Sequence, residues 1–286
     1  MEILNQKQSV MNFCIAGRYS IAIKVADYLR RNMPQAHLLA LPGVSDTGID
    51  AWQPSFLKYV CQHADEFVLT TLDDLYQIED LVFLSLEYDK LIDVSKFRSR
   101  RLYNVHFSLL PAYKGCYTSA WPILNGEKES GVTLHKIDSG IDTGDIIAQS
   151  RIPLGPTVTA ESLYLQYIKV GVQLAIDNLP LLISNDQVLA EPQLSFGSSY
   201  YSRGSIDYKN LKISLCQTAA QIDAQIRAYY FPFYQIPVVL GYRIVKSEIT
   251  DSRSTRKAGT LIKDTASYVM VATIDYDMIL YKETNR

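Results

Sequence analysis

Two short segments of this 286-residue chain concentrate side chains able to do acid–base and carbonyl chemistry. The first is Asn104-Val105-His106, followed by Ser108-Leu109-Leu110-Pro111. Residues two apart on a strand point to the same side, so Asn104 and His106 project together. An amide donor beside an imidazole can bind a carbonyl oxygen and handle a proton. The second segment is Asp138-Ser139-Gly140-Ile141-Asp142-Thr143-Gly144-Asp145. Its three carboxylates and two glycines predict a tight, backbone-exposing turn, and one carboxylate could reach His106 and orient or charge its ring. Plainer alternatives stand beside these. A lone strand-end histidine is commonly a hydrogen-bonded structural residue, and a Gly/Asp loop is commonly only a turn. Metal binding by His106, His135 and the aspartates is weaker, because no H-x-x-x-H or C-x-x-C pair exists. Alone, these residues define an α/β enzyme, with acyl transfer as one option.

The elements that must position them follow from the apolar pattern. Residues 12–16, 37–41, 67–69, 81–86 and 102–107 read as short apolar strands. Residues 21–31, with Ile21, Val25 and Leu29 at helical spacing, and 52–61 read as helices. Alternating strands and helices imply an α/β fold with a parallel sheet. In such sheets ligands sit beyond the carboxyl ends of the strands, where Asn104 and His106 fall. The turn Gly17-Arg18-Tyr19-Ser20 has one glycine, so the GxGxxG dinucleotide fingerprint is absent. Next come a short helix (119–124) and extended runs (131–137, 145–154) around the Gly/Asp turn. Residues 159–183 form a long amphipathic helix, with Thr159 as N-cap, Ser162 nearby, and Leu163, Tyr167, Val170, Leu174 and Ile176 at apolar positions. Pro180 is expected to end or kink it. Composition changes near Asn185. Residues 195–207 read as a Gly/Ser/Tyr-rich loop, 218–229 as a helix, and 238–250 and 267–281 as strands. The expected organisation is a catalytic domain over 1–185 and a smaller β-rich C-terminal region over 186–286.

Composition narrows the function class. With 48% hydrophobic residues the chain can bury a sizeable core. Its net charge of -2 lacks the basic surplus usual in nucleic-acid binders. Cys14, Cys61, Cys116 and Cys216 are scattered, which fits a reducing compartment. Residues 1–10 are polar, and no run of about 18 apolar residues occurs. A soluble cytoplasmic protein without nucleic-acid or membrane partners is expected. Tyrosine is abundant, with 20 against nine Phe and two Trp. Its flat face and polar tip suit stacking on rings and bonding to sugar or phosphate, though a tyrosine-rich core is the plainer use.

The stretch Asn104-Val105-His106-Phe107-Ser108-Leu109-Leu110-Pro111-Ala112-Tyr113-Lys114-Gly115 closely resembles the core motif of folate-dependent formyltransferases. So does Gly131-Val132-Thr133-Leu134-His135-Lys136-Ile137, continuing through Asp138 to Asp145. Both stand in the family's order and separation, over the second half of a catalytic domain spanning about 11–185. The resemblance implies a Rossmann-like domain, N10-formyltetrahydrofolate as co-substrate, no metal, and a catalytic trio falling on Asn104, His106 and Asp142. It further implies that backbone groups of the loop Leu86-Glu87-Tyr88-Asp89 hold the pterin, with Leu86, Glu87 and Tyr88 as the binding candidates. Asp138, Gly140, Ile141 and Asp142 would form the other side of that pocket. A neutral amine would attack the formyl carbon, Asn104 and protonated His106 would stabilise the formyl oxygen, and Asp142 would orient His106.

The acceptor is indicated by a second likeness. Lys114-Gly115-Cys116-Tyr117-Thr118-Ser119-Ala120-Trp121-Pro122 is similar to the sugar N-formyltransferase branch, as are Tyr200–Tyr208 and Ile226–Phe233. That branch implies a nucleotide-linked amino sugar, dTDP-linked by preference, destined for surface polysaccharide such as the O-antigen of lipopolysaccharide. It also suggests a homodimer through the C-terminal strands. Tyr113, Lys114 and Tyr117 become substrate-binding candidates. Tyr230 and Phe231 could stack on the base, and Arg203, Lys209 and Arg227 could pair with pyrophosphate. The competing use of these aromatics is packing of the C-terminal region. Other acceptors are methionyl-tRNA, glycinamide ribonucleotide, or water in a formyltetrahydrofolate hydrolase; a folate-binding scaffold is disfavoured by the intact trio. Residues 241–286 hold eight Lys/Arg and six Asp/Glu, too small a surplus for an RNA platform.

Overall fold

The computed structural model describes residues 11–184 and 188–284. The polar stretch 1–10 and the expected boundary at 185–186 lie outside the described residues. The chain forms two compact units, and the division is not one cut along the chain. The first comprises 1–111, 131–150 and 168–197; the second comprises 112–130, 151–167 and 198–286.

The first unit is built on a seven-stranded sheet ordered β3-β2-β1-β4-β5-β7-β8. Its strands are β1 (Asn12–Gly17), β2 (His37–Pro42), β3 (Phe67–Leu69), β4 (Leu81–Leu86), β5 (Arg101–His106), β7 (Glu129–Lys136) and β8 (Ile146–Pro153). β1 to β5 pair in parallel, whereas β7 runs antiparallel to β5 and sets Asn104 opposite His135 and His106 opposite Thr133. The sheet is thus Rossmann-like, with an antiparallel addition that the apolar pattern did not foretell. β1 and β4 are near-continuous apolar runs because helices cover both faces of such a sheet. Helix α1 (Tyr19–Asn32) buries Ile21, Ala22, Val25, Ala26 and Leu29, a stripe at helical spacing. Arg30 and Arg31 in its last turn suit the helix dipole.

Two expectations need adjusting here. Helix α2 spans only Phe56–Gln62, capped by Ser55, whose side chain accepts from Lys58 N. Pro54 biases Gln53 towards extended backbone, so residues 52–54 stay outside the helix. A four-residue helix, α3 (Leu72–Leu75), is closed by a Thr71/Asp74 capping box and was not anticipated. After α4 (Trp121–Leu124), the long helix α5 (Ala160–Ile183) begins at Thr159, where Thr159 and Ser162 exchange side-chain hydrogen bonds with each other's backbone N–H. It carries Pro180 inside and runs to Ile183, the end expected for it.

In the second unit, a five-stranded sheet is ordered β10-β11-β14-β13-β12, with helix α6 (Ala219–Tyr229) packed on it. Strands β10 (Val238–Val239) and β11 (Tyr242–Arg253) make a hairpin through Leu240 and Gly241, both at positive φ (52° and 83°), as a type I′ turn requires. The remaining strands are β12 (Leu261–Asp264), β13 (Tyr268–Ala272) and β14 (Tyr276–Lys282). The expected strand over 267–281 is therefore two, separated where Thr273 Oγ1 donates to the Tyr276 carbonyl. The core joins Ala219, Ile222 and Ile226 of α6 to Val269, Val271, Met278 and Leu280 of the sheet. The expected loop 195–207 contains β9 (Tyr200–Tyr201), which pairs in parallel with β6 (Lys114–Gly115).

Candidate active site

Asn104 and His106 lie at the carboxyl end of β5, two residues apart. Asp142 comes from the loop between β7 and β8, its backbone at φ 55°, a left-handed conformation that Asp tolerates better than most residues. The three side chains converge. His106 Nδ1 is 3.5 Å from Asp142 Oδ2, and Asn104 Nδ2 is 3.4 Å from Asp142 Oδ1. His106 and Asp142 are mostly buried, at 10% and 13% side-chain exposure, so charge on either is poorly screened. His135 joins the group: its Nε2 is 3.1 Å from Asn104 Nδ2 and 3.7 Å from Asp142 Oδ1.

The loop is held in this shape from within. Asp138 Oδ1 accepts from Gly140 N and Thr143 Oγ1 at 3.0 and 2.6 Å. Gln193 Nε2 donates to the carbonyls of Asp142 and Gly144, both at 2.8 Å. A Cβ at Gly144 would lie 1.9 Å from the Lys136 carbonyl oxygen, so only glycine allows the loop to fold back on β7. Ile141 is 40% exposed at the loop's tip. Asp138 is thus a staple of the loop, and Asp142 alone of its carboxylates reaches the histidine.

Leu86, Glu87 and Tyr88 follow β4, beside β5 in the sheet. Glu87 takes φ 60°, and Tyr88 packs on the apolar cluster around Phe83 and Phe97. The next residue, Asp89, accepts from Val44 N and Ser45 N at 2.7 and 2.9 Å, with Arg18 Nη1 at 3.7 Å. Arg18 N donates to the Leu86 carbonyl and Gly43 N to the Gly17 carbonyl. The turns after β1, β2 and β4 are thereby laced together at the strand order's switch point, where open α/β sheets bind ligands. Burial pushes the Asp89 carboxyl up, but the Ser45 and Val44 hydrogen bonds and nearby Arg18 outweigh it and hold the pKa below the ordinary carboxylate value. The sequence offered no sign that Asp89, His135 or Gln193 has these partners, because each contact joins residues with no local motif.

In the second unit, Tyr113, Lys114 and Tyr117 are brought together with the 198–208 segment. Tyr113 and Tyr117 both have positive φ (61° and 59°). Tyr113 N donates to Ser199 Oγ, and its hydroxyl donates to Glu127 at 2.6 Å. Burial and then that bond push the Tyr113 hydroxyl well above its ordinary pKa. Lys114 is buried, its ammonium 3.0 Å from Ser198 Oγ. A Cβ on Gly115 (φ 87°) would sit 2.3 Å from the Tyr201 carbonyl oxygen, so the β6–β9 pairing needs glycine there. The Trp121 ring stacks on Tyr201 at 4.0 Å, and Tyr117 meets Tyr208 edge-on at 5.0 Å. The Trp121 indole N–H is buried without a hydrogen-bond acceptor among the described residues. Arg203 and Lys209 are exposed on the 202–210 stretch. Arg227 is engaged by Asp223 at 2.7 Å and by the Val158 carbonyl. Tyr230 is half-buried, whereas Phe231 is 6% exposed and packs against Tyr164 and Tyr234.

Among the described residues no group of three or more His, Cys, Asp or Glu could hold a metal ion, and no helix is long and apolar enough to cross a membrane. The four cysteines are free, and burial pushes the Cys14 thiol far up, which makes it inert. A cavity of about 380 Å³ lined by Arg30, His37 and Phe67 sits at the amino ends of β2 and β3, away from the trio.

A Rossmann-like sheet with an amide, an imidazole and a carboxylate at one strand end defines an α/β enzyme equipped for carbonyl chemistry. Residues 79–179 match the formyl transferase family. A methionyl-tRNA formyltransferase of Legionella pneumophila is 31% identical over 215 residues, covering 74% of this chain and 68% of the relative. Among solved structures, the N-formyltransferase from Helicobacter canadensis, in complex with folinic acid and dTDP-3-aminofucose, is 38% identical with a TM-score of 0.86, covering 96% of this chain and 100% of that one. WlaRD, a sugar 3N-formyl transferase in the presence of dTDP and 5-N-formyl-THF, is 37% identical with a TM-score of 0.87, covering 97% and 99%. The chain belongs to the formyltransferase family.

Proposed function

We propose that the protein transfers the formyl group of N10-formyltetrahydrofolate to the amino group of a nucleotide-linked amino sugar, with a dTDP-linked 3-amino sugar favoured. The convergence of Asn104, His106 and Asp142 carries the chemical half of this reading. The amine lone pair forms a bond to the formyl carbon, and the bond from that carbon to N10 of the folate breaks. An amine proton leaves as N10 gains one, giving the N-formyl sugar and tetrahydrofolate. Asn104 donates to the oxygen on which negative charge builds, and protonated His106 adds its charge. Asp142 orients His106 and assists the proton's transfer. Backbone groups of 86–88, fixed by the Asp89 lacing, and the 138–142 loop are the surfaces assigned to the pterin.

For the acceptor, support comes from near-complete coverage of the two sugar enzymes against 68% of the tRNA enzyme. The net charge of -2 points the same way. The tyrosines around Trp121 offer a face for a base or sugar. A homodimer through the C-terminal strands and a role in surface-polysaccharide synthesis complete the proposal.

The test is a panel of nucleotide-linked amino sugars, glycinamide ribonucleotide and methionyl-tRNA, each incubated with formyl-folate and read by mass gain on the acceptor. Formylation of a dTDP-amino sugar is expected. Turnover of another amine with every sugar unmodified overturns the acceptor, and folate release without any amine indicates a hydrolase.

A further inference from the structure

His135 is 2% exposed, and no step above uses it. Its Nδ1 lies 2.7 Å from the Lys136 carbonyl oxygen. A carbonyl oxygen only accepts, so the ring hydrogen sits on Nδ1, and in the neutral ring Nε2 keeps a lone pair. Asn104 Nδ2 stands 3.1 Å from that lone pair. Only the NH2 end of the amide satisfies it; the flipped amide would set oxygen against nitrogen lone pair. Asp142 Oδ1, 3.4 Å from the same Nδ2, repels the flipped oxygen too. Nε2 and Oδ1 are themselves 3.7 Å apart, so the three atoms form a small triangle with both acceptors on one side of Nδ2. Seen from Nδ2 the two acceptors subtend about 70°, less than the angle between the two amide hydrogens, so one hydrogen can serve both and leave the other for a third acceptor. No other side-chain hydrogen bond of Asn104 occurs among the described residues.

We propose that His135 is a positioning residue: its tautomer, set by the Lys136 carbonyl, fixes Asn104 as a donor with its second N–H ready for the formyl oxygen. This rests on the assignment of Asn104 to that oxygen. Without His135, amide rotation is opposed by Asp142 alone, and the terminal torsion of Asn is otherwise broad and two-fold. The flipped amide would present oxygen to an oxygen gaining negative charge, which removes the stabilisation instead of weakening it.

The experiment compares His135→Asn, His135→Gln and His135→Phe with Asn104→Ala, under saturating and limiting concentrations of each substrate. Asn reproduces the Nδ1 position and its bond to Lys136 but leaves Asn104 without a partner; Gln reproduces the Nε2 position. The expected result is a fall in kcat of about 10–100-fold for His135→Asn and His135→Phe, with KM for folate and acceptor unchanged. His135→Gln should recover most of the rate. In the wild type, nitrogen NMR of the imidazole should show the Nδ1–H tautomer. Wild-type kcat in His135→Asn and His135→Phe, a loss confined to KM, no recovery with Gln, or an Nε2–H tautomer would each overturn the proposal. Asn104→Ala separates the failures. If it stays active, the assignment of Asn104 itself falls; if it is inactive while the His135 variants are normal, only the part given to His135 falls.

Discussion

The trio end of the first unit and the tyrosine segment of the second solve different problems with different materials. Around Asn104, His106 and Asp142, polar groups are few, largely buried and held by one another: His135 bonds the Lys136 carbonyl, Asn104 bonds His135 and Asp142, and His106 faces Asp142. Around Tyr113, Gly115 and Tyr117, the backbone runs through three positive-φ residues, and flat rings are stacked beside a two-residue strand pairing. The first region resembles a tool with one use, held at fixed angles. The second is a surface whose shape depends on which rings it carries. Chemistry and acceptor choice should therefore respond to different substitutions.

The largest expected effect breaks the first region. Asn104→Ala, His106→Ala and Asp142→Ala should each lower turnover by about 10²–10³ or more while melting near the wild-type temperature, since loss of one oxyanion donor is of that size. Near-normal rates in all three would erase the distinction. Gly144→Ala comes next. Its methyl would collide with the Lys136 backbone oxygen at 1.9 Å, so the loop carrying Asp142 must move. About a 100-fold loss of kcat is expected, as for an ångström-scale misplacement, with the acceptor KM near normal. Equal losses in both parameters would mean that the loop also shapes acceptor binding.

Smaller effects belong to the second region. Trp121→Ala and Tyr201→Ala remove partners from one stacked pair 4.0 Å apart. The acceptor KM should rise by up to about tenfold, with folate affinity unchanged, because aromatic pairs contribute on the order of 1 kcal/mol beyond burial. A change in folate affinity instead would merge the two regions.

The smallest effect is a pH dependence at Asp89. Its carboxyl is held below the unfolded value, so its contribution to the lacing is complete above about pH 4 and fades as pH falls through the lower, folded pKa. Folate binding should weaken below about pH 4, and Asp89→Asn should lose that part of the profile. An identical acid limb in the variant, read by folate titration across pH, would remove Asp89 from the cofactor side.

What could be read in advance divides along the same line. The strands β1, β4 and β5 stand out because buried parallel strands are unbroken apolar runs, and a polar residue such as Asn104 or His106 at their ends is conspicuous. Asp142 was legible as a carboxylate in a glycine turn. The antiparallel direction of β7 was not, since strand residues carry no mark of polarity. Neither were the partners of His135, Asp89 and Gln193, which are side-chain contacts to backbone or rings up to 51 residues away. The long helix was legible to its end: the apolar spacing carried 159–183 past Pro180, and α5 does run to Ile183. In the second unit, Leu240-Gly241 hid a hairpin because Leu seldom fills a left-handed turn position.

The pairing of Lys114–Gly115 with Tyr200–Tyr201 has a consequence for descent. Two stretches far apart in the gene share one patch of surface, while the residues that hold the reacting groups in register lie in neither. If this patch takes the proposed acceptor, a lineage can exchange one acceptor for another by altering these stretches in step, and leave its reaction untouched. The trace should be correlated substitution between the positions of the pair, together with constancy of Gly115, whose replacement would unseat both partners at once.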